Sequence, residues 1–423
     1  MSYTRLRGVT HYEPDNTYES LVAFTGADSI SRLISLDGTV VHEWPFAGVP
    51  ARVIDPALNG GRVGDIGVQL SGSGDDRGGI YANGTVGQLN WEGDVVWQWG
   101  EQAPGGAARQ NHDWELLPNG NRLLLVTVPR VVEQLGIPDT VGDQGLLEVS
   151  PDGEIVWQWL AGDHLDEFGF SPEGREALSA TAARDPEDPW GYLEMNSAKS
   201  LGPNRWFETD PAFHPDNILV SFRKANIVAL IEKSSGAIVW RLGPYFDATP
   251  GAQHQRINTH KVPRPVDQIS GQHNPHLIAP GLPGAGNILV FDNQGGAGYP
   301  PAPLGIYAGS RVLEIDPSTR QIVWQYTAED SGLPSWTFFS SFVSNAQRLP
   351  NGNTLITEGM QGRLFQVTPA GEVVWEYHSP YTGYGVAGEP EVSKVRVPGV
   401  DRLTSTTLVY RAQAVPFEWV PQP

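Results

Sequence analysis

The sequence predicts an all-β fold: a six-bladed β-propeller of four-stranded antiparallel blades, with long loops gathered on one face. Three observations predict it. A seven-residue phrase recurs as GTVVHEW (38–44), GDVVWQW (93–99), GEIVWQW (153–159), GAIVWRL (236–242), RQIVWQY (320–326) and GEVVWEY (371–377). A strand–turn–strand phrase precedes these, as in HDWELLPNGNRLLLVT (112–127), HNPHLIAPGLPGAGNILVFDN (273–293) and SNAQRLPNGNTLITEG (344–359). The 49 Gly and 35 Pro are scattered rather than clustered, which suits many short strands joined by turns.

Each seven-residue phrase is β-branched and aromatic, and most follow a tight turn such as Pro-Asp-Gly, so each reads as a strand closing a hairpin. Together the two phrases make one four-stranded blade. The blades fall at about 8–48, 50–102, 110–162, 190–245, 270–328 and 340–380, in a single domain over 1–423, with 390–423 as a closing segment that pairs with the first blade. The Val-Val-Trp phrase is expected as the outermost strand, its Trp packed between neighbouring blades as scaffold. The stretch 166–189 is the one expected helix of any length, read as part of a lid.

With 14 Trp, 13 Tyr and 14 Phe the chain has ample material for a core. A formal charge of −20 argues against nucleic acid, whose phosphates need a basic surface, but leaves room for a small aromatic or anionic substrate held by a few local cations. No cysteine is present, which excludes disulfides, thiolate metal sites and Cys nucleophiles. No apolar run reaches the ~20 residues of a membrane span, and the first residues do not read as a signal peptide. As it stands the chain reads as cytoplasmic, or as periplasmic or secreted if an export signal was removed. Oligomeric state leaves no mark in the sequence.

The LPNGN and PDG turns share one face, so the long, irregular loops 128–141, 163–190, 245–272, 294–309 and 328–343 share the other, where binding and catalysis are expected. Aligning the repeats on their turns selects one position at the start of the innermost strand. It holds Thr10 or His11, Arg52, His112, Asn196, His273 and Ser344, with Asp113, Asn274 and Asn345 beside them to orient side chains. The ends of the second strands add Arg223, Asn293 and Glu358. Such a ring could simply hold ordered water, but His and Arg at matched positions favour an anion site. No Gly-rich phosphate loop, zinc helix or nucleophile elbow is present.

These features resemble the bacterial arylsulfotransferase family, which moves sulfate between phenols without a nucleotide donor. The resemblance is densest in GQHNPHLIAPGLPGAGNILVFDN and NAQRLPNGNTLITEGMQGRLFQVTPAGEVVWEYHSPY. It implies a six-bladed propeller, an active site at the mouth of the axial channel, and a ping-pong reaction through a sulfated histidine. On that basis His273 is the expected nucleophile, His112 the acid/base and Arg223 the grip on the sulfuryl group. Arg52, His11, Asn196, Glu194, Asn293, Ser344 and Glu358 are the substrate-binding candidates. The family's His in a Trp-Leu-His-Ile-Asn-Ser segment is here Glu194 in YLEMNS, a carboxylate that would repel a sulfate ester. That departure keeps a second reading open: a lyase, cyclase or hydrolase for a small aromatic or anionic metabolite, using His/Glu acid–base chemistry or a divalent metal on the propeller axis. A third is a non-catalytic binding propeller.

Overall fold

The computed structural model describes residues 6–70, 84–188, 190–246, 261–302, 309–383 and 406–422. Parts of the expected loops 245–272 and 294–309, and residues 390–405 of the expected closing segment, lie outside them. The described strands form six antiparallel sheets of four or five strands, one per repeat: a six-bladed β-propeller.

The chain divides into two compact units, Met1–Leu124 with Glu148–Val156 and Val343–Pro423, and Leu125–Leu147 with Trp157–Phe342. The third sheet (Gln110–Leu116, Arg122–Val131, Thr140–Val149, Ile155–Leu160) contributes residues to each.

In the first unit, one sheet joins Ala412–Val415 to Leu21–Thr25, Ser31–Ile34 and Val40–Trp44, and the next joins Arg52–Val53, Ile66–Gln69, Val86–Leu89 and Val95–Trp99. A five-stranded sheet runs Gly8–Tyr12, Val373–His378, Arg363–Val367, Thr354–Glu358, Asn345–Arg348. The C-terminal strand pairs with the first blade, Leu21 opposite Val415 and Phe24 opposite Ala412.

In the second unit, Met195–Ser200, Ile218–Phe222, Ile227–Ile231 and Ile238–Leu242 form one sheet. His273–Leu277, Ile288–Asp292, Arg311–Asp316, Gln321–Tyr326 and the two-residue strand Arg264–Pro265 form the other. Leu219, Leu230, Val290, Leu313 and Ile322 fill the core between these two sheets. Both middle strands of the first sheet, Ile218–Phe222 and Ile227–Ile231, are buried throughout, so their sequences read as continuous apolar runs rather than alternating ones.

The recurring Val-Val-Trp phrase divides its labour. Val40, Val41, Val95, Val96 and Val156 are exposed, so in the first three repeats these valines serve backbone preference, whereas Ile322 and Val374 of the last two are buried. The aromatic residues two and four positions beyond the first Val tie blade to blade. Trp44 donates its indole N–H to Asn90 O, Trp99 to Gly153 O, Trp159 to Gly236 O, Trp240 to Pro317 O and Trp375 to Leu36 O, each in the hairpin turn of the following repeat. His42, standing at a Trp position, stacks on Trp91 with centroids 3.8 Å apart.

Two expectations need correction. The Val-Val-Trp strand is outermost in four sheets, but in the fifth and sixth an extra strand lies outside it: Arg264–Pro265 on Gln321–Tyr326, and Gly8–Tyr12 on Val373–His378. The strand Gly8–Tyr12 therefore belongs to the last blade, not to the start of the first. An unpaired strand edge accepts any strand the chain can bring to it, so no local signal shows which edge a strand will join. The helix forms over Pro172–Arg184, where Ser171 caps it by accepting the Gly174 N–H at 3.1 Å and Pro172 opens it.

Candidate functional site

His273 opens its strand, and its partner there is Phe291 on the adjacent strand. The strand after Phe291 ends at Asp292, so Asn293 follows beside the imidazole. His273 Nδ1 lies 2.7 Å from Asn293 Oδ1 and 3.0 Å from Gly271 O. Both partners are acceptors, since Asn293 Nδ2 is spent on Ser340 O at 2.6 Å. Nδ1 therefore carries the proton, and in the neutral ring Nε2 holds the lone pair. His273 is 2% exposed, so this orientation is fixed by packing as well.

Arg223 and Glu194 meet in the second unit because the end of Ile218–Phe222 lies against the start of Met195–Ser200. The Arg223 backbone N–H donates to Glu194 O at 2.9 Å. The side chains pair as well, Arg223 Nη1 to Glu194 Oε2 at 3.0 Å, while Nη2 donates to Ser341 O at 3.2 Å. Arg223 Nε is buried with no hydrogen-bond partner among the described residues. Lys224 Nζ stands 3.9 Å from the same Glu194 oxygen, pairs with Asp188 and donates to Gly191 O at 2.9 Å. The carboxylate expected to repel an anion is thus held between two cations. Asn196 donates to Gln272 O at 2.9 Å, one residue before His273.

The first unit carries its own polar cluster. His112 is 2% exposed and its Nδ1 lies 2.8 Å from Asn111 Oδ1. Asp113, fully buried, faces two guanidiniums: Arg411 Nη1 at 3.1 Å from Oδ2 and Arg52 Nη2 at 3.4 Å from Oδ1. Tyr410 O–H donates to His112 O at 3.0 Å. Burial opposes the Arg411 charge, but Tyr410 and Asp113 outweigh it and hold its pKa above the ordinary value. Ser344 lies next to this cluster, its N–H donating to Tyr410 O at 3.0 Å, and its hydroxyl accepts the Gly359 N–H at 2.9 Å. Glu358 is paired with Arg363 at 3.2 Å.

Sequence alignment on the turns placed His112 level with His273, and the turn bonds Leu117 N–H to Asn121 O and Ile278 N–H to Asn287 O lie at the same distance along the chain from each. Left-handed residues mark the start of four first strands: His112 (φ 53°), Glu194 (φ 49°), Asn274 (φ 51°) and Ser344 (φ 88°). Non-glycine residues at positive φ are held only where surrounding structure compels them, and they concentrate at functional sites.

His11 is a correction of place. It lies on Gly8–Tyr12, the edge of the five-stranded sheet opposite Asn345–Arg348, is 43% exposed in its side chain and sits 3.1 Å from Glu13. The position assigned to it belongs to Tyr410 and Arg411, which sequence reasoning missed. A signal was present: RAQAVP (411–416) repeats NAQRLP (345–350), strand and following proline included.

Among the described residues no three His, Asp or Glu side chains gather as ligands for a metal ion. No helix among them is long and apolar enough to cross a membrane. A cleft of about 220 Å³ in the second unit is lined by Trp157, Trp159, Asp163, His164 and Lys233, none of them a predicted site residue.

The sheets define the class of protein, a six-bladed β-propeller, and each of its two units carries one buried histidine oriented by an asparagine. The family model for Arylsulfotransferase (ASST) matches residues 85–380, most of the chain. The protein belongs to the arylsulfotransferase family. No curated protein matches it. Among solved structures it is similar to a Bacteroides caccae protein of unknown function (14% identity, 86% of this chain and 94% of that one, TM-score 0.46). It is also similar to the Myceliophteria thermophila Cps50 (Swd1) β-propeller domain (10%, 90% and 90%, 0.41) and to Staphylococcus aureus virginiamycin B lyase (11%, 89% and 89%, 0.38). At such identities and scores these likenesses carry nothing about the chemistry of this chain.

Proposed function

We propose that this protein transfers a sulfuryl group from a phenolic sulfate ester to a phenol through a sulfo-histidine on His273. The observation that carries the reading is the hydrogen bonding of His273 Nδ1 to Asn293 Oδ1 and Gly271 O, at 2.7 and 3.0 Å, which leaves Nε2 as the nucleophilic nitrogen. Family membership supports a transferase.

In the first half-reaction His273 Nε2 attacks sulfur, an N–S bond forms, and the S–O bond to the aryl group breaks with release of the phenolate. In the second, the oxygen of an acceptor phenol attacks the same sulfur and the N–S bond breaks, restoring neutral His273; the acceptor's proton goes to solvent. The Arg223 guanidinium, with two of its five N–H groups bonded to Glu194 and Ser341 O, is the donor assigned to a sulfuryl oxygen as charge builds on it. His112, oriented by Asn111 at 2.8 Å within the first unit, is the alternative point of attachment.

Nitrophenol release from 4-nitrophenyl sulfate, followed with and without a second phenol, tests this reading. The expected result is a single-turnover burst without acceptor and steady turnover with it, in a ping-pong pattern. Steady turnover without acceptor would overturn transfer and favour the hydrolase reading, with the buried Glu194 as its base.

A further inference from the structure

Glu194 and Arg223 form a neutral pair at the site, and Lys224 with Asp188 forms a second. Glu194 is only 8% exposed, so its charge faces a poorly solvated surrounding. Arg223 has two of its donor nitrogens committed, to Glu194 and to Ser341 O. These bonds use two of its five N–H groups, and of the others Nε–H is buried without a partner among the described residues. The neighbour on that side is Gly271 (φ +68°), where a Cβ would stand 3.8 Å from Nε. Gly271 O also meets His273 Nδ1 at 3.0 Å, so this glycine adjoins both the guanidinium and the imidazole. The arrangement therefore gives an incoming anion a directed donor with little net positive charge behind it.

We infer that Glu194 sets the charge of the anion this site accepts: it admits monoanionic sulfate esters and rejects dianionic phosphate esters of the same aryl group. This rests on the sulfuryl-transfer reading. The two esters have similar tetrahedral heads, so shape separates them poorly and charge must. An aryl sulfate carries one negative charge, whereas a phosphate monoester, with a second pKa of about 6, carries nearly two at pH 8. The Arg223 guanidinium satisfies the first charge. The second stands unopposed beside the Glu194 carboxylate, where low solvation magnifies the repulsion. Specificity of this kind comes from a repulsive element against the wrong ligand rather than from an extra contact to the right one. The left-handed backbone at Glu194 (φ 49°) holds the carboxylate in place at some cost in strain.

The experiment measures binding of 4-nitrophenyl sulfate and 4-nitrophenyl phosphate at pH 8 by calorimetry, in a His273→Ala background that prevents turnover. Glu194→Gln and Glu194→Asn are then added separately; Asn tolerates left-handed backbone, so at least one neutral variant keeps the local fold. The expected result is tighter binding of the sulfate ester when Glu194 is present. Either neutral variant should narrow that preference by about tenfold or more, chiefly through tighter phosphate-ester binding. Equal affinities with Glu194 present, or a preference unchanged in both variants while the sulfate ester still binds, would overturn the inference alone. Failure of the sulfate ester to bind any form would overturn the sulfuryl-transfer reading and this inference with it.

Discussion

His273 Nδ1 and Asn293 Oδ1 are 2.7 Å apart, and that contact decides which face of the imidazole is chemically available. Asn293 is itself anchored, through Nδ2 to Ser340 O, so its amide cannot flip without losing a bond. Partners that orient a functional histidine typically matter by 10–100-fold when removed. Asn293→Ala is expected to lower kcat by about that factor with a small change in KM, while Asn293→Asp, which keeps an acceptor, retains more. Equal kcat in Asn293→Ala and the native protein would remove Asn293 from the site.

Arg223 and Glu194 depend on each other more than on solvent. Removing the guanidinium leaves a buried carboxylate with Lys224 at 3.9 Å as its nearest remaining cation. Arg223→Met is expected to cost about 3 kcal/mol of stability in urea unfolding, and adding Glu194→Gln should restore part of it. Additive losses in the double variant would mean that the two side chains do not act as a pair.

The strand Gly8–Tyr12 is clasped by a carboxylate. Glu376 accepts from Thr10 Oγ1 at 2.7 Å, lies 2.9 Å from His378 Nε2, and meets Arg363 at 2.6 Å. Burial alone would raise its pKa; the hydrogen bond from His378 and the charge of Arg363 hold it well below the ordinary 4.5. A depressed folded pKa stabilises above the unfolded value and loses that contribution as pH falls. Glu376→Gln is therefore expected to cost about 1–3 kcal/mol at pH 7, with the deficit shrinking as the pH drops below about 4.5. Urea midpoints at pH 7 and pH 3 check the sign.

The C-terminal strand supplies residues as well as closure. Arg411→Met removes one of the two guanidiniums that face the buried Asp113, the other being Arg52 at 3.4 Å, and is expected to destabilise by about 3 kcal/mol. Tyr410→Phe loses one hydrogen bond to His112 O and should cost about 1 kcal/mol. Thermal melts of the two variants compare these directly; a larger loss for Tyr410→Phe would mean that the hydroxyl's hydrogen bonding outweighs the ion pair.

What the sequence made legible follows from what repeats. The Trp phrase repeats because each blade must be tied to the next, and spacing alone gave its structural role at Trp99 and Trp159. His273 at a strand start and Arg223 and Asn293 after strand ends follow from turns that fix local register, whereas Glu194 was singled out only through the family resemblance. Pairing between distant segments has no such local mark. Gly8–Tyr12 joins Val373–His378 across most of the chain length, so His11 was assigned to the wrong edge. Arg411 was missed for the same reason, although RAQAVP echoes NAQRLP. The left-handed backbone at His112 and Asn274 is likewise something that composition does not announce.

The central claim is that His273 becomes sulfated, and intact-protein mass after brief exposure to 4-nitrophenyl sulfate tests it most directly. The account predicts one added sulfuryl mass that maps to His273, disappears on adding a phenol, and does not form in His273→Ala. An adduct mapping to His112, or nitrophenol release with no adduct at any time, would contradict it.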